Sequence, residues 1–162
     1  MAAVALLAGC TPDPEPTPTP TAAFASEEEA FAAAEATYRA FTARLNDVDT
    51  TDPQTFEPLF ELSSGEFEAA DREAYANMHT NQVVVEGETK IISFVGTRSL
   101  EPFKVVDANV CLDVSEVHVT DSAGSSLVSP DRPSVYGLAI TFVLERQHLT
   151  INSASIDTDM TC

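Results

Sequence analysis

The chain has 162 residues, with 26 acids against 8 Lys and Arg for a net charge of −18, and it lacks Trp. That length holds one domain with some chain to spare. The charge excludes a nucleic-acid binder, which needs Lys and Arg to neutralise phosphates, and it disfavours docking on anionic lipid headgroups.

Met1 to Gly9 is apolar throughout, ends in Leu7-Ala8-Gly9 and is followed by Cys10. This stretch resembles the lipobox of bacterial lipoproteins, so residues 1–9 read as a lipoprotein signal peptide. A secretory leader carries a basic n-region ahead of about 7–15 apolar residues. None is present here, and the true start is expected further upstream. The run is too short to span a bilayer, which takes about 20 apolar residues. The resemblance implies a diacylglyceryl group on the Cys10 thioether, and two chains give stable attachment where one does not. Residues 10–25 then read as a lipidated cysteine and a disordered tether. Alternating Thr and Pro from Thr11 to Pro20 favours polyproline II, at about 3.1 Å per residue, for a standoff of roughly 30 Å. The domain expected behind it covers residues 26–162. Its address is the outer face of the cell membrane, outside the cytoplasm.

With Cys10 assigned to lipid, Cys111 and Cys162 remain of the three cysteines. In an oxidising compartment they are expected to pair, and the bond would pin a C-terminus that otherwise frays. A free reactive thiol is the alternative. Metal binding finds no support, since neither cysteine has a Cys-x-x-Cys or nearby His spacing.

The first half reads as helical. Ser26-Glu27-Glu28-Glu29 is a capping box, and Phe31, Ala34, Tyr38, Phe41, Leu45 and Val48 recur at helical spacing. Asp52-Pro53 starts a short second helix through Phe60, with Pro58 awkward inside it. Ser63-Ser64-Gly65-Glu66 opens a third, with Phe67, Ala70, Ala74 and Met78 on one side. From Gln82 onward the period is two. The expected strands are Gln82–Glu86, Lys90–Arg98, Lys104–Val119, Ser134–Glu145 and His148–Ile156. In the third, Val106, Ala108, Val110, Leu112 and Val114 share one face, while Asp107, Asn109, Cys111 and Asp113 share the other. Val117 and Val119 switch parity, which predicts a bulge or bend near Ser115-Glu116. Helices followed by an antiparallel meander give an α+β fold, with N-terminal helices packed on a curved β-meander.

That order, with the lipobox, the Thr-Pro tether, the helix Glu27–Val48, the segment Val110–Ser115, the turn Asp121–Gly124 and the terminal Cys162, resembles small secreted actinobacterial lipoproteins with a nuclear-transport-factor-2-like (cystatin-like) cone. A Trp frequently precedes the last strand of that fold. His148-Leu149-Thr150 stands there instead, so the strand is expected to pack less apolar area. The resemblance implies a cavity between helices and sheet, where enzymes of this fold place Asp, His or Tyr. The inward face of the clearest strand is aliphatic, which leaves Tyr38, Tyr75 and His79 as the ligand-cavity candidates. Tyr38 reads as a core aromatic with its hydroxyl at the rim, Tyr75 as packed or half-exposed, and His79 as a cation favoured at a helix C-terminus. No nucleophile elbow, phosphate loop or metal-spaced cluster appears, so no catalytic residue, metal or cofactor is expected. Asp47–Asp52 supplies closely spaced oxygens but lacks the Gly and Glu of a calcium loop. Two function classes remain. One is a non-catalytic binding or interaction domain presented at the envelope, with a protein partner met through the open sheet face. The other is a carrier or cavity enzyme for a small apolar molecule.

Overall fold

In a computed structural model describing residues 23–100 and 102–162, Ser26 starts the first helix, α1 (Glu27–Asn46), in extended backbone. Its hydroxyl accepts from Glu29 N at 3.2 Å, and Glu29 reaches back one residue further than a standard box, taking Ala25 N at 2.7 Å. Three glutamates in the first turn favour the positive helix end. Ala30, Ala34, Tyr38, Phe41 and Thr42 are buried, with Phe31, Leu45 and Val48 packed beside them. The small alanines let α1 lie close on the sheet. The lipobox, Cys10 and most of the tether fall outside the described residues.

Pro53–Thr55 forms a 3₁₀ turn rather than the start of a longer helix, and Asp52 caps it by accepting from Gln54 N at 3.0 Å. The helix proper, α2 (Glu57–Phe60), begins after it. Pro58 is therefore in the first turn, where a missing N–H costs nothing, and it is not the interior residue the sequence suggested. In α3 (Gly65–Thr80) the packed side also differs from expectation. Ala70 and Ala74 are exposed, while Asp71 and Tyr75 are partly buried with Phe67 and Met78. Ser64 precedes α3 without capping it through its side chain. Its hydroxyl instead accepts from Thr150 Oγ1 at 2.9 Å, which ties the helix to the last strand.

The strands are β1 (Val84–Glu86), β2 (Lys90–Ser99), β3 (Val105–Asp113), β4 (His118–Thr120), β5 (Val135–Glu145) and β6 (His148–Ile156). The expected strand Lys104–Val119 is two. Near Ser115-Glu116 the chain turns, with Val117 N donating to Val114 O at 3.0 Å, and β4 leaves the sheet. It pairs with β1, which is shorter than the Gln82–Glu86 expected because Gln82 takes a positive φ of 55°. One continuous meander is thus replaced by an antiparallel four-stranded open sheet, β2-β3-β5-β6, and a two-stranded ribbon, β1-β4. The fold is α+β, with helices and antiparallel sheets.

α1 runs along β2 and is fixed at both ends of it. Glu27 accepts from Ser99 N at 2.9 Å, and Asn46 exchanges two hydrogen bonds with the Thr89 backbone. Midway, Phe31 sits on Gly96, where a Cβ would collide with the ring. At the other edge, Ile151 N donates to Leu62 O at 3.0 Å and Ser64 N to Ile151 O at 2.8 Å, so the segment before α3 covers β6. The core lies between α1 and the inner sheet face, where Val106, Val110, Phe142, Leu149 and Ile151 are essentially inaccessible. His148 is exposed, yet β6 still buries Leu149 and Ile151 beside it, so the missing Trp does not leave the strand poorly packed.

Cys111 and Cys162 are disulfide-bonded, with Cα atoms 5.6 Å apart. Cys111 lies on the outer face of β3, opposite Gly137 of β5. The bond therefore draws residues 157–162 back across that face.

Candidate functional site

The three aromatic and imidazole candidates fall in three different places. Tyr38 is in the core, its ring centroid 6.2 Å from Phe41, 6.3 Å from Phe94 and 6.4 Å from Phe142. Burial raises its phenol above the ordinary tyrosine range. No hydrogen bond to its hydroxyl is found among the described residues, and none of their fully buried side-chain polar atoms lacks a partner.

Tyr75 packs on Phe56 at 5.3 Å and Phe60 at 6.1 Å between ring centroids. Its other side lines a hollow of about 150 Å³ with Leu45, Met78, Val85, Val117 and Val119. This hollow lies between the ends of α1 and α3 and the β1-β4 ribbon. The parity switch at Val117 and Val119 is what turns those side chains toward it. One helical turn before Tyr75 is Asp71, whose carboxyl is pushed up to about 6 by burial. Burial first, and the Asp71 charge second, raise the Tyr75 phenol.

Asp71 went unnoticed in sequence because Phe67, Ala70, Ala74 and Met78 make an acceptable helical stripe. The stripe Phe67, Asp71, Tyr75, Met78 fits the spacing equally well. Tyr75, the larger apolar body, was the signal that should have rotated the face by one residue.

His79 faces outward from the last turn of α3. Its Nδ1 is 2.9 Å from Thr50 O. A carbonyl oxygen only accepts, so Nδ1 carries a proton and donates it to Thr50 O. The ring is thus spent on the loop before α2 rather than on capping its own helix. It lines an open depression of about 550 Å³ with Thr50, Thr51, Thr80, Gln82 and Val84. A neighbouring groove of about 300 Å³ runs past Pro53, Phe56 and Phe60. Both reach the size of a ligand pocket, but both lie on the outer surface beside α3 rather than between helices and sheet. Arg72 closes one side of the groove, over the Phe60 ring at 4.2 Å and paired with Glu57 and Glu68 at 3.0 and 2.8 Å.

In the acidic loop, Asp49 Oδ1 accepts from Thr51 N at 2.8 Å and Thr51 Oγ1 at 2.7 Å, which lowers its carboxyl below the usual range. The Asp49 and Asp52 carboxylates cap local turns. Among the described residues, no group of three His, Cys, Asp or Glu is placed to hold a metal.

The outer sheet face carries the remaining chemistry. Asp107 accepts from Arg98 Nε and Nη2 at 2.9 and 2.7 Å and from Thr141 Oγ1 at 2.9 Å, a three-strand link. Asp113 is held below the usual range by hydrogen bonds from Ser115. Leu100, Val95 and Val105 are 70%, 56% and 47% exposed. Leu100 and Val105 border a hollow of about 340 Å³ with Arg98, Pro102, Lys104 and Asp107.

No protein-family model and no curated protein matches this sequence. Solved structures do. A putative aromatic ring hydroxylase from Novosphingobium aromaticivorans is similar with a TM-score of 0.59 and 9% identity, over 84% of this chain and 93% of that one. The intermembrane space region of the chloroplast protein ARC6 is similar with a TM-score of 0.55 and 10% identity, over 78% and 95%. At such identities the likeness concerns fold alone. It agrees with the α+β order of elements.

Proposed function

We propose that this protein is an exported lipoprotein, anchored through Cys10 to the outer face of the cell membrane, whose domain is a non-catalytic binding module of nuclear-transport-factor-2-like cone shape. The observation that carries the reading is the Cys111–Cys162 bond, which suits an oxidising compartment. No described helix is long and apolar enough to cross a membrane, so on this reading attachment falls to lipid on Cys10. The space between helices and sheet is filled by Tyr38, Phe41, Phe94 and Phe142. Among the described residues, the hollow beside Tyr75, toward the β1-β4 ribbon, measures about 150 Å³, half of the roughly 300 Å³ at the low end of small-molecule sites. Binding energy is then more readily found on the outer sheet face, where apolar residues are exposed, with a protein partner of the envelope.

Detergent phase partition of the protein expressed from its full reading frame in a bacterial host tests the anchor. The wild type is expected in the detergent phase and Cys10→Ser in the aqueous phase. Aqueous partition of both removes the anchor from the account.

A second reading, a carrier or cavity enzyme for a small apolar molecule, is favoured by one feature: Tyr75, which feels the Asp71 charge one helical turn away, lines a largely apolar hollow. A thermal-shift panel of small apolar alcohols and ketones separates the two. Stabilisation that Tyr75→Phe abolishes selects the cavity, and no shift at millimolar concentration selects the binding module.

A further inference from the structure

Residues 157–162 form a strap on the outer sheet face. Asp157 N donates to Gly137 O at 2.9 Å, and Met160 N to Asp157 O at 3.4 Å. Asp157 Oδ1 turns the strap by accepting from Asp159 N at 3.0 Å. Met160 lies directly on Gly137, where a Cβ would stand 2.7 Å from the Met160 Cβ. Beyond Met160 the chain ends in the bond to Cys111, the residue paired with Gly137 across β3 and β5. The two residues differ in access: Cys162 is exposed, and Cys111 is 5% exposed beneath the strap.

The core is on the opposite face of the sheet. Val106, Val110, Ile140 and Phe142, the residues that hold β3 and β5 to α1, point away from the strap. The β3–β5 ladder pairs continuously from Val105–Val143 to Asp113–Val135. Losing the strap removes one sheet-to-strap hydrogen bond, one methionine contact and the disulfide, and leaves the ladder and core intact. Such a segment opens locally, at less cost than global unfolding.

We propose that the strap is a thiol-releasable cover on the outer sheet face, opened when a protein dithiol attacks the disulfide at Cys162, the exposed residue of the pair. The attacking thiolate forms a mixed disulfide with Cys162, the Cys162–Cys111 bond breaks, and Cys111 leaves as a thiolate that takes a proton from water. The second thiol of the reductant then displaces Cys162 as a thiolate, and the reductant departs with its own disulfide. The open state shows a strip along Gly137 and Cys111, with a thiol that was hidden before. This inference goes beyond the proposed anchor and does not depend on it.

The test uses the full chain with Cys10→Ser, so that only the strap cysteines react. A Cys-x-x-Cys dithiol protein whose second cysteine is replaced by serine traps the mixed disulfide, and peptide mapping locates it. Attachment at Cys162 is expected; attachment at Cys111 overturns the proposal. In excess phosphine reductant, hydrogen exchange of residues 157–162 is expected to rise at least tenfold while the β3–β5 amides stay protected and the far-ultraviolet spectrum is kept. Unchanged exchange in the strap, or loss of the whole fold, overturns it. Met160→Ala leaves both cysteines and the core in place and is expected to speed mixed-disulfide formation severalfold. An unchanged rate means that the strap does not guard the bond.

Discussion

Asp71→Asn should make the protein more stable at neutral pH. The carboxyl is partly buried on the packed face of α3, and burial alone pushes it to about 6 from an ordinary 3.8. At about 1.4 kcal/mol per pH unit between folded and unfolded values, the ionised group costs the fold up to roughly 3 kcal/mol. Residual solvent contact reduces this to about 2 kcal/mol. The sign follows from linkage: the folded state holds the proton more tightly, so the penalty is absent below about pH 4 and complete above about pH 6 to 7. An amide has similar shape and no charge. For a domain of this size, 2 kcal/mol corresponds to a Tm increase of roughly 6–8 °C. The assay is paired thermal melts of wild type and Asp71→Asn from pH 4 to 8. General acidity also destabilises the wild type as pH rises, so the difference between the two proteins is the informative quantity. It should be near zero at pH 4, grow through pH 5–6 and level off by pH 7. A difference that does not vary with pH, or an Asn variant less stable at pH 7.5, refutes the assignment of Asp71 to a desolvated site.

Removing the disulfide with Cys111→Ser and Cys162→Ser together should lower stability by about 4 kcal/mol on the chain-entropy account of a loop near 50 residues, read by denaturant titration. Tyr38→Phe should change stability by less than about 0.5 kcal/mol because no described group bonds the hydroxyl, whereas Tyr38→Ala should cost about 3–5 kcal/mol by opening the aromatic cluster. Arg146 sits at a φ of 58° in the hairpin between β5 and β6. Arg146→Gly should therefore raise stability by about 1 kcal/mol, seen as a Tm gain of a few degrees.

Helix α1 was legible in sequence from its N-terminal cap, because five apolar residues from Phe31 to Leu45 agree on one stripe; the helix ends at Asn46, before the sixth, Val48. The inward face of β3 was equally clear from strict alternation between Val106 and Leu112. What escaped was longer-range. Whether His118–Thr120 continues β3 or turns away to meet β1 depends on the turn after Asp113, where Ser115 N bonds the Asp113 side chain at 2.8 Å. Alternation alone showed only that a break was near. The packed side of α3 was ambiguous because alanines fit either face, and the choice was made by Tyr75 filling the space beside Phe56 and Phe60. Pro58 looked disruptive because the helix was drawn from Asp52, and the 3₁₀ turn before Phe56 moves it into a first turn. The strap could be anticipated from Cys162 alone, but its seat on Gly137 could not. A glycine in a strand reads as a weakness until the side chain that occupies its space is known.

On the proposed reading, lipid on Cys10 holds this domain to the outside of a membrane. Mass spectrometry of the N-terminal peptide from membrane-extracted protein tests it most directly. A peptide that begins at Cys10 and carries a diacylglyceryl mass on that residue is expected. A peptide that reads through Gly9 into an unmodified Cys10 would contradict it.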